Sequence, residues 1–191
     1  MRLLTLALAA LLRAGCGGGG RAAGGDEPVT ARALAAVAAE HVGEPSSGRS
    51  GFRYPDREPF VEQADLRYGS GGESDGGLLR VTVVAGRELP TCPSSADAGF
   101  DGCAETDEGL LLWDLEVPEE DPGQVVVLVA KREAHARVLG GSDTITGDPR
   151  EQDLEVPVET LFALAADPRV DVTTSREAVE AGEDLAWFEG D

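Results

Sequence analysis

Three apolar runs between Gly109 and Leu139 leave a chain like this little choice of fold. Residues 109–117 (GLLLWDLEV), 124–131 (QVVVLVAK) and 134–139 (AHARVL) are rich in aliphatic and β-branched side chains and are joined only by EEDPG and Arg132-Glu133. Connections that short join antiparallel neighbours, so the stretch predicts a three-stranded meander. The middle run is apolar at consecutive positions, which predicts burial on both faces and a central place in the sheet. His135, alternating with Ala136 and Val138, is expected to point outward into solvent.

Two further strands precede the meander. Residues 61–68 place Ala64, Leu66 and Tyr68 on one side, and residues 78–85 (LLRVTVVA) read as a strand by β-branched content. The segment GSGGESDGG between them is a long hairpin loop. No lysine follows a glycine run, so the phosphate cradle of a Walker loop is excluded.

Helices are expected towards both ends. In residues 29–42, Leu34, Val37, Ala38 and Val42 share a helical face, with Thr30 as N-cap and Gly43 just past the end. His41 falls beside that stripe, with nothing nearby in sequence to orient it. Residues 158–166 put Leu161, Phe162 and Ala165 at helical spacing, after Pro157 in the first turn and before the stop Asp167-Pro168. Residues 170–173 suit a short edge strand. Thr174 and Glu177 then form a capping box for a helix through Ala181, stopped by Gly182. Leu185, Trp187 and Phe188 supply apolar bulk to dock on the sheet. The fold expected is a two-layer α+β domain, an antiparallel sheet of four to five strands with N- and C-terminal helices packed on one face.

Ahead of this domain, residues 1–16 (MRLLTLALAALLRAGC) have the layout of an export signal: Met1 and Arg2 carry charge, residues 3–12 are apolar except Thr5, and Ala14-Gly15 are small. The apolar run is about half of the roughly 20 residues a membrane-spanning helix needs. The ending resembles the lipobox of bacterial lipoproteins, in which the cysteine after the small pair is acylated and becomes the mature N-terminus. That resemblance assigns lipidation to Cys16. Arg13 departs from the pattern, which favours leucine three residues before the cysteine, and a charge there weakens recognition by the processing enzyme. An uncleaved anchor and a non-lipidated secretory signal are the alternatives. The expected organisation is a signal over residues 1–15, a glycine-rich tether over 16–28 (GGGGRAAGGDEP follows Cys16) and a single domain over 29–191.

Formal charge is -20 for the chain; losing Arg2 and Arg13 with the signal leaves 14 basic against 36 acidic side chains. A polyanion of this size repels phosphate backbones and anionic headgroups, which argues against nucleic acid as a partner. It fits a domain that stands off the membrane on a tether, and the acidity itself reads as a device for solubility. A halophile's solvated surface would have the same composition. Only Lys131 among the 16 basic residues is lysine, a codon bias of GC-rich genomes.

With Cys16 given to lipid, Cys92 and Cys103 remain as an even pair, expected to form a disulfide in an oxidising compartment. A zinc site built from them with His41 and His135 lacks the close ligand spacing of zinc motifs. The segment they enclose and the residues just beyond it gather Asp97, Asp101, Glu105, Asp107 and Glu108, but not at calcium-loop spacing, and a solvated acidic loop is the expectation. Phe52 and Tyr54, among arginines in a turn-rich segment, read as pinning a loop to the core.

No S-x-x-K, H-E-x-x-H or D-[ST]-G pattern occurs, and the G-x-S-x-G match GESDG (72–76) falls in the glycine-rich hairpin loop rather than at a strand-to-helix turn, so neither a catalytic residue nor a cofactor or metal site is assigned. A second resemblance lies at the C-terminal end, where ITGDPR (145–150), DLEVPVETLFALA (153–165) and DPRVDVTTS (167–175) look like a recurring tail of actinobacterial lipoproteins of unknown function. It implies an envelope address and supplies no catalytic residues. The function expected is a non-catalytic binding or accessory module, lipid-anchored at the extracytoplasmic face of the cell membrane, with the membrane and another envelope protein as partners. The alternative is an envelope hydrolase using an Asp/Glu pair, which a cavity with two facing carboxylates would favour.

Overall fold

The computed structural model describes residues 25–51, 60–69, 77–92, 99–141 and 143–188. Cys16, the signal and most of the tether lie outside the described residues, as do Phe52, Tyr54, Asp97 and the tip of the 69–77 loop. The end of the glycine-rich stretch is already structured: β1 (Glu27–Pro28) pairs antiparallel with β9 (Thr173–Thr174).

Helix α1 (Ala31–Val42) starts where the Thr30 hydroxyl accepts the Ala33 N–H at 3.1 Å and ends at Gly43, whose φ of 106° suits glycine. Seven of its residues are buried, more than one helical face provides, because α1 is covered on two sides. The sheet lies on one side and α3 (Arg176–Glu183) on the other. Ser175, not Thr174, caps α3, accepting the Ala178 N–H at 3.2 Å; Thr174 is committed to β9. Gly182 does not stop this helix but lies inside it. A Cβ there would come within 2.5 Å of the Arg32 carbonyl oxygen, so Gly182 is the point at which α3 and α1 touch. Helix α2 (Val158–Ala166) follows Pro157 and packs with α1 on the same face of the sheet. Residues 170–172 form a turn rather than a strand, with Val170 fully buried.

Seven strands form the main sheet, against the four to five expected: β2 (Ser47–Ser50), β3 (Phe60–Tyr68), β4 (Gly77–Ala85), β5 (Gly102–Glu105), β6 (Leu110–Asp114), β7 (Gln124–Ala130) and β8 (Ala134–Gly141). All neighbours are antiparallel in the order β2-β3-β4-β8-β7-β6-β5, with Val81, Val138, Val127 and Leu111 aligned across its middle. The meander is present as β6-β7-β8, joined at Arg132-Glu133 by a tight turn closed by Lys131 N–H to the Ala134 carbonyl, 2.9 Å. The central strand is β8 rather than β7, because β3 and β4 extend the sheet on the far side of β8. The two strands not foreseen, β2 and β5, are the edges.

Alternation along the strands divides the sheet into two faces. One carries Ala64, Leu66, Leu79, Val81, Val83, Leu111, Val127 and Val138 against α1 and α2, the main core. The other is apolar towards the β6-β7-β8 end, where Leu110, Leu112, Val126, Leu128 and Leu139 pack with Leu78 of β4, Leu89, Phe100 and the two cysteines. At the β2-β3-β4 end it is polar. The C-terminal residues 186–188 run beside β2, with Gly48 N–H donating to the Ala186 carbonyl and Phe188 N–H to that of Gly48. Trp187 docks, but Phe188 stays 54% exposed rather than joining the core.

Candidate functional site

Between the C-terminal end of α1, α2, the start of β4 and residues 143–156 lies an aliphatic cavity of about 240 Å³. Leu79, Val125, Ile145 and Leu161, all nearly inaccessible, form its floor. Gly77 and Gly140 line it as well, and a Cβ on Gly140 would meet only Leu161, at 3.6 and 3.8 Å. The outer wall is the loop before α2. Ile145 fixes it by exchanging backbone bonds with Pro122 and Glu116, both 2.8 Å, and Asp148 caps the single 3-10 turn Pro149–Glu151. Arg150 bonds Asp148 as well, and this bond holds the Asp148 carboxyl below its ordinary range. The segments ITGDPR and DLEVPVETLFALA therefore serve as a braced wall, contributing Ile145, Leu154, Glu155, Val156 and Leu161 to the cavity.

Two carboxylates line the same space. Glu155 is exposed and Asp143 half-buried, which places them at the rim. Asp143 Oδ2 accepts the Glu155 N–H at 3.0 Å, and among the described residues neither side chain is paired with a basic group. Tyr68 contributes to the wall. Burial pushes its hydroxyl up to about 12, so it is neutral at physiological pH, and no described residue hydrogen-bonds it.

Beside α1 and α2 sits a second polar group. His41 is not left unoriented: Nε2 lies 3.1 Å from Asp167 Oδ2, and Arg169 binds both Asp167 and Glu40. Burial raises the Asp167 carboxyl, but the bonds from the Arg169 side chain and backbone and from His41 outweigh it and hold the group at about 2. Lys131 Nζ donates to the Asp167 carbonyl at 2.9 Å. Burial lowers that amine to about 8, against the opposing pull of Asp171 and Asp167. These contacts tie the ends of α1 and α2 to the β7-β8 turn.

His135 is 7% exposed, not solvated; the 86–92 segment folds over its strand end, and Nδ1 lies 2.9 Å from the Gly86 carbonyl oxygen. Cys92 and Cys103 are bonded, S–S 2.12 Å and Cα–Cα 5.4 Å. Neither cysteine is a free ligand, and no three His, Cys, Asp or Glu among the described residues are placed to hold a metal ion. Of the acidic loop residues, Asp101 accepts the Leu115 N–H at 2.8 Å, so it braces the turn after β6. Sequence reasoning missed the cavity because its lining comes together only once β4, β7 and β8 are paired against α2.

Comparison with protein-family models, curated proteins and solved structures finds no match to this chain. Among the described residues no helix is long and apolar enough to cross a membrane.

Proposed function

We propose that this protein is a lipid-anchored component of the cell envelope, acylated on Cys16 and held at the extracytoplasmic face, akin to the actinobacterial lipoproteins that both its ends resemble. Its domain acts as a non-catalytic binding or accessory module. The observation that carries the address is the Cys92–Cys103 bond, because disulfides persist in oxidising compartments and close small exported folds. What carries the binding role is a preformed cavity in whose wall the described residues include no serine, cysteine or histidine.

The hydrolase reading has one observation in its favour, that Asp143 and Glu155 line one cavity. A glycosidase-type pair needs one carboxyl withdrawn from water and both free to act. Glu155 is exposed and Asp143 is engaged by the Glu155 backbone, so the accessory role is the better supported.

Metabolic labelling with a fatty-acid analogue tests the anchor: label is expected on the wild-type protein and lost in Cys16→Ser. Equal labelling of both sinks the assignment. Crosslinking in intact cells, with identification of the captured neighbour, then tests for a partner at the envelope.

A further inference from the structure

We propose that the cavity binds a small aliphatic cation, its hydrocarbon part against Leu79, Val125, Ile145 and Leu161 and its ammonium group at the rim with Asp143 and Glu155. This deepens the reading of the domain as a binding module and is independent of the lipid anchor. The size fits: an apolar cavity of about 150 Å³ accepts benzene, and this one measures about 240 Å³. Apolar floor and wall favour transfer of hydrocarbon from water. Charge selects within that class. The rim has two carboxylates without a basic partner among the described residues, and the whole chain is at -20, so an anionic head would be repelled and a cationic one drawn in. A neutral head would gain the hydrocarbon contacts alone.

Floor and rim are separable by substitution. Gly140→Leu fills the cavity, and the amide shifts of α3 and β5, remote from it, report whether that variant keeps its fold; Glu180→Gln, an exposed carboxylate of α3 outside the lining, is the charge control. Asp143→Asn with Glu155→Gln removes the charge and keeps an oxygen at residue 143 to accept the Glu155 N–H.

Hexylammonium, hexanol and hexanoate at pH 7 share a chain length and differ in head-group charge. Each is titrated into the full chain carrying Cys16→Ser, so that no acyl chain competes and the labelling result stands apart, and amide shifts of Gly77, Gly140 and Ile145 are followed by NMR. Saturable binding of hexylammonium is expected, about tenfold tighter than hexanol and more than tenfold tighter than hexanoate. The double carboxamide variant loses the preference for hexylammonium over hexanol, Gly140→Leu loses binding of both with its remote amide shifts unchanged, and Glu180→Gln retains both. Absence of saturable shifts, hexanoate binding as tightly as hexylammonium, an undiminished preference in the double variant or unchanged binding in Gly140→Leu would each overturn the proposal.

Discussion

On the helix-covered face of the sheet, Leu66, Val81, Val127 and Val138 meet Leu34, Val37, Leu161 and Phe162 in a continuous apolar core. One residue away along the same strands, the opposite face is not covered by α1, α2 or α3 and is held by other means. Over β6, β7 and β8 it is a small apolar cluster pinned by the Cys92–Cys103 bond. Over β3 and β4 it is a polar network, in which Asp65 accepts two bonds from Arg80, 2.7 and 3.0 Å, and one from Gln63, 3.0 Å. A layer of helices covers a sheet with side chains in register, so hydrophobic burial alone suffices there. On the other face a covalent link and an ionic one accompany the smaller apolar cluster.

The sharpest way to break this contrast is to open one hole in each face. Leu34→Ala leaves a cavity beneath α1 at a fully buried site, and a loss of about 4 kcal/mol is expected from urea unfolding. A loss below about 1 kcal/mol would mean that the helix layer is not the main source of stability. Replacing both cysteines by serine removes a short loop constraint worth about 3 kcal/mol on chain-entropy grounds. The loss should be local in character: hydrogen exchange is expected to quicken in β5 and β6 before β3 and β4. Uniform acceleration across the sheet would show that the two halves of that face are one unit.

Asp65 is 5% exposed, and Asp65→Ala takes from Arg80 and Gln63 the carboxylate that both of them bond. About 2 kcal/mol is expected, below the cost of breaking a fully buried pair because Arg80 is partly open to solvent. Asp65→Ala combined with Arg80→Ala should cost less than the two separately, as a double-mutant cycle will reveal. Strict additivity would mean that the pair is incidental to the face.

The contrast also explains which parts of the fold were legible. β6, β7 and β8 declare themselves because Leu, Val and Trp occupy positions buried on both faces, and α1 because Thr30 and Gly43 mark its ends. β2 (SGRS) and β5 (GCAE) look like turns. Their glycines seat tryptophans: a Cβ on Gly48 would strike the Trp187 ring at 2.5 Å, and one on Gly102 would overlap the Trp113 ring. Gly182 misleads for the same reason, since close approach of two backbones and a helix stop both favour glycine. The disulfide was legible from cysteine parity. Asp143 and Glu155 were not, because among 36 acidic residues only the tertiary fold distinguishes two that share a cavity.

At the border of the helix-covered face the rule reverses, and the smallest expected effect tests how far that reversal matters. Asp167, at the end of α2, holds His41 of α1 and is gripped by Arg169, which reaches on to Glu40. Its carboxyl lies at about 2 in the folded chain against an ordinary 3.8, so folding favours the ionised form. The stabilisation is complete above the ordinary value and is lost as pH falls towards 2. Because Glu40 and the rim are open to solvent, screening reduces it to about 1 kcal/mol. Asp167→Asn keeps the backbone carbonyl that Lys131 binds, so the substitution isolates the carboxylate. Unfolding free energies of wild type and Asp167→Asn from urea titration should differ by that amount at pH 7 and draw together as pH falls towards 2. A gap that stays constant across this range would assign the contribution to packing, and the ionic rim would then be an extension of the helix layer's apolar contacts rather than an exception to them.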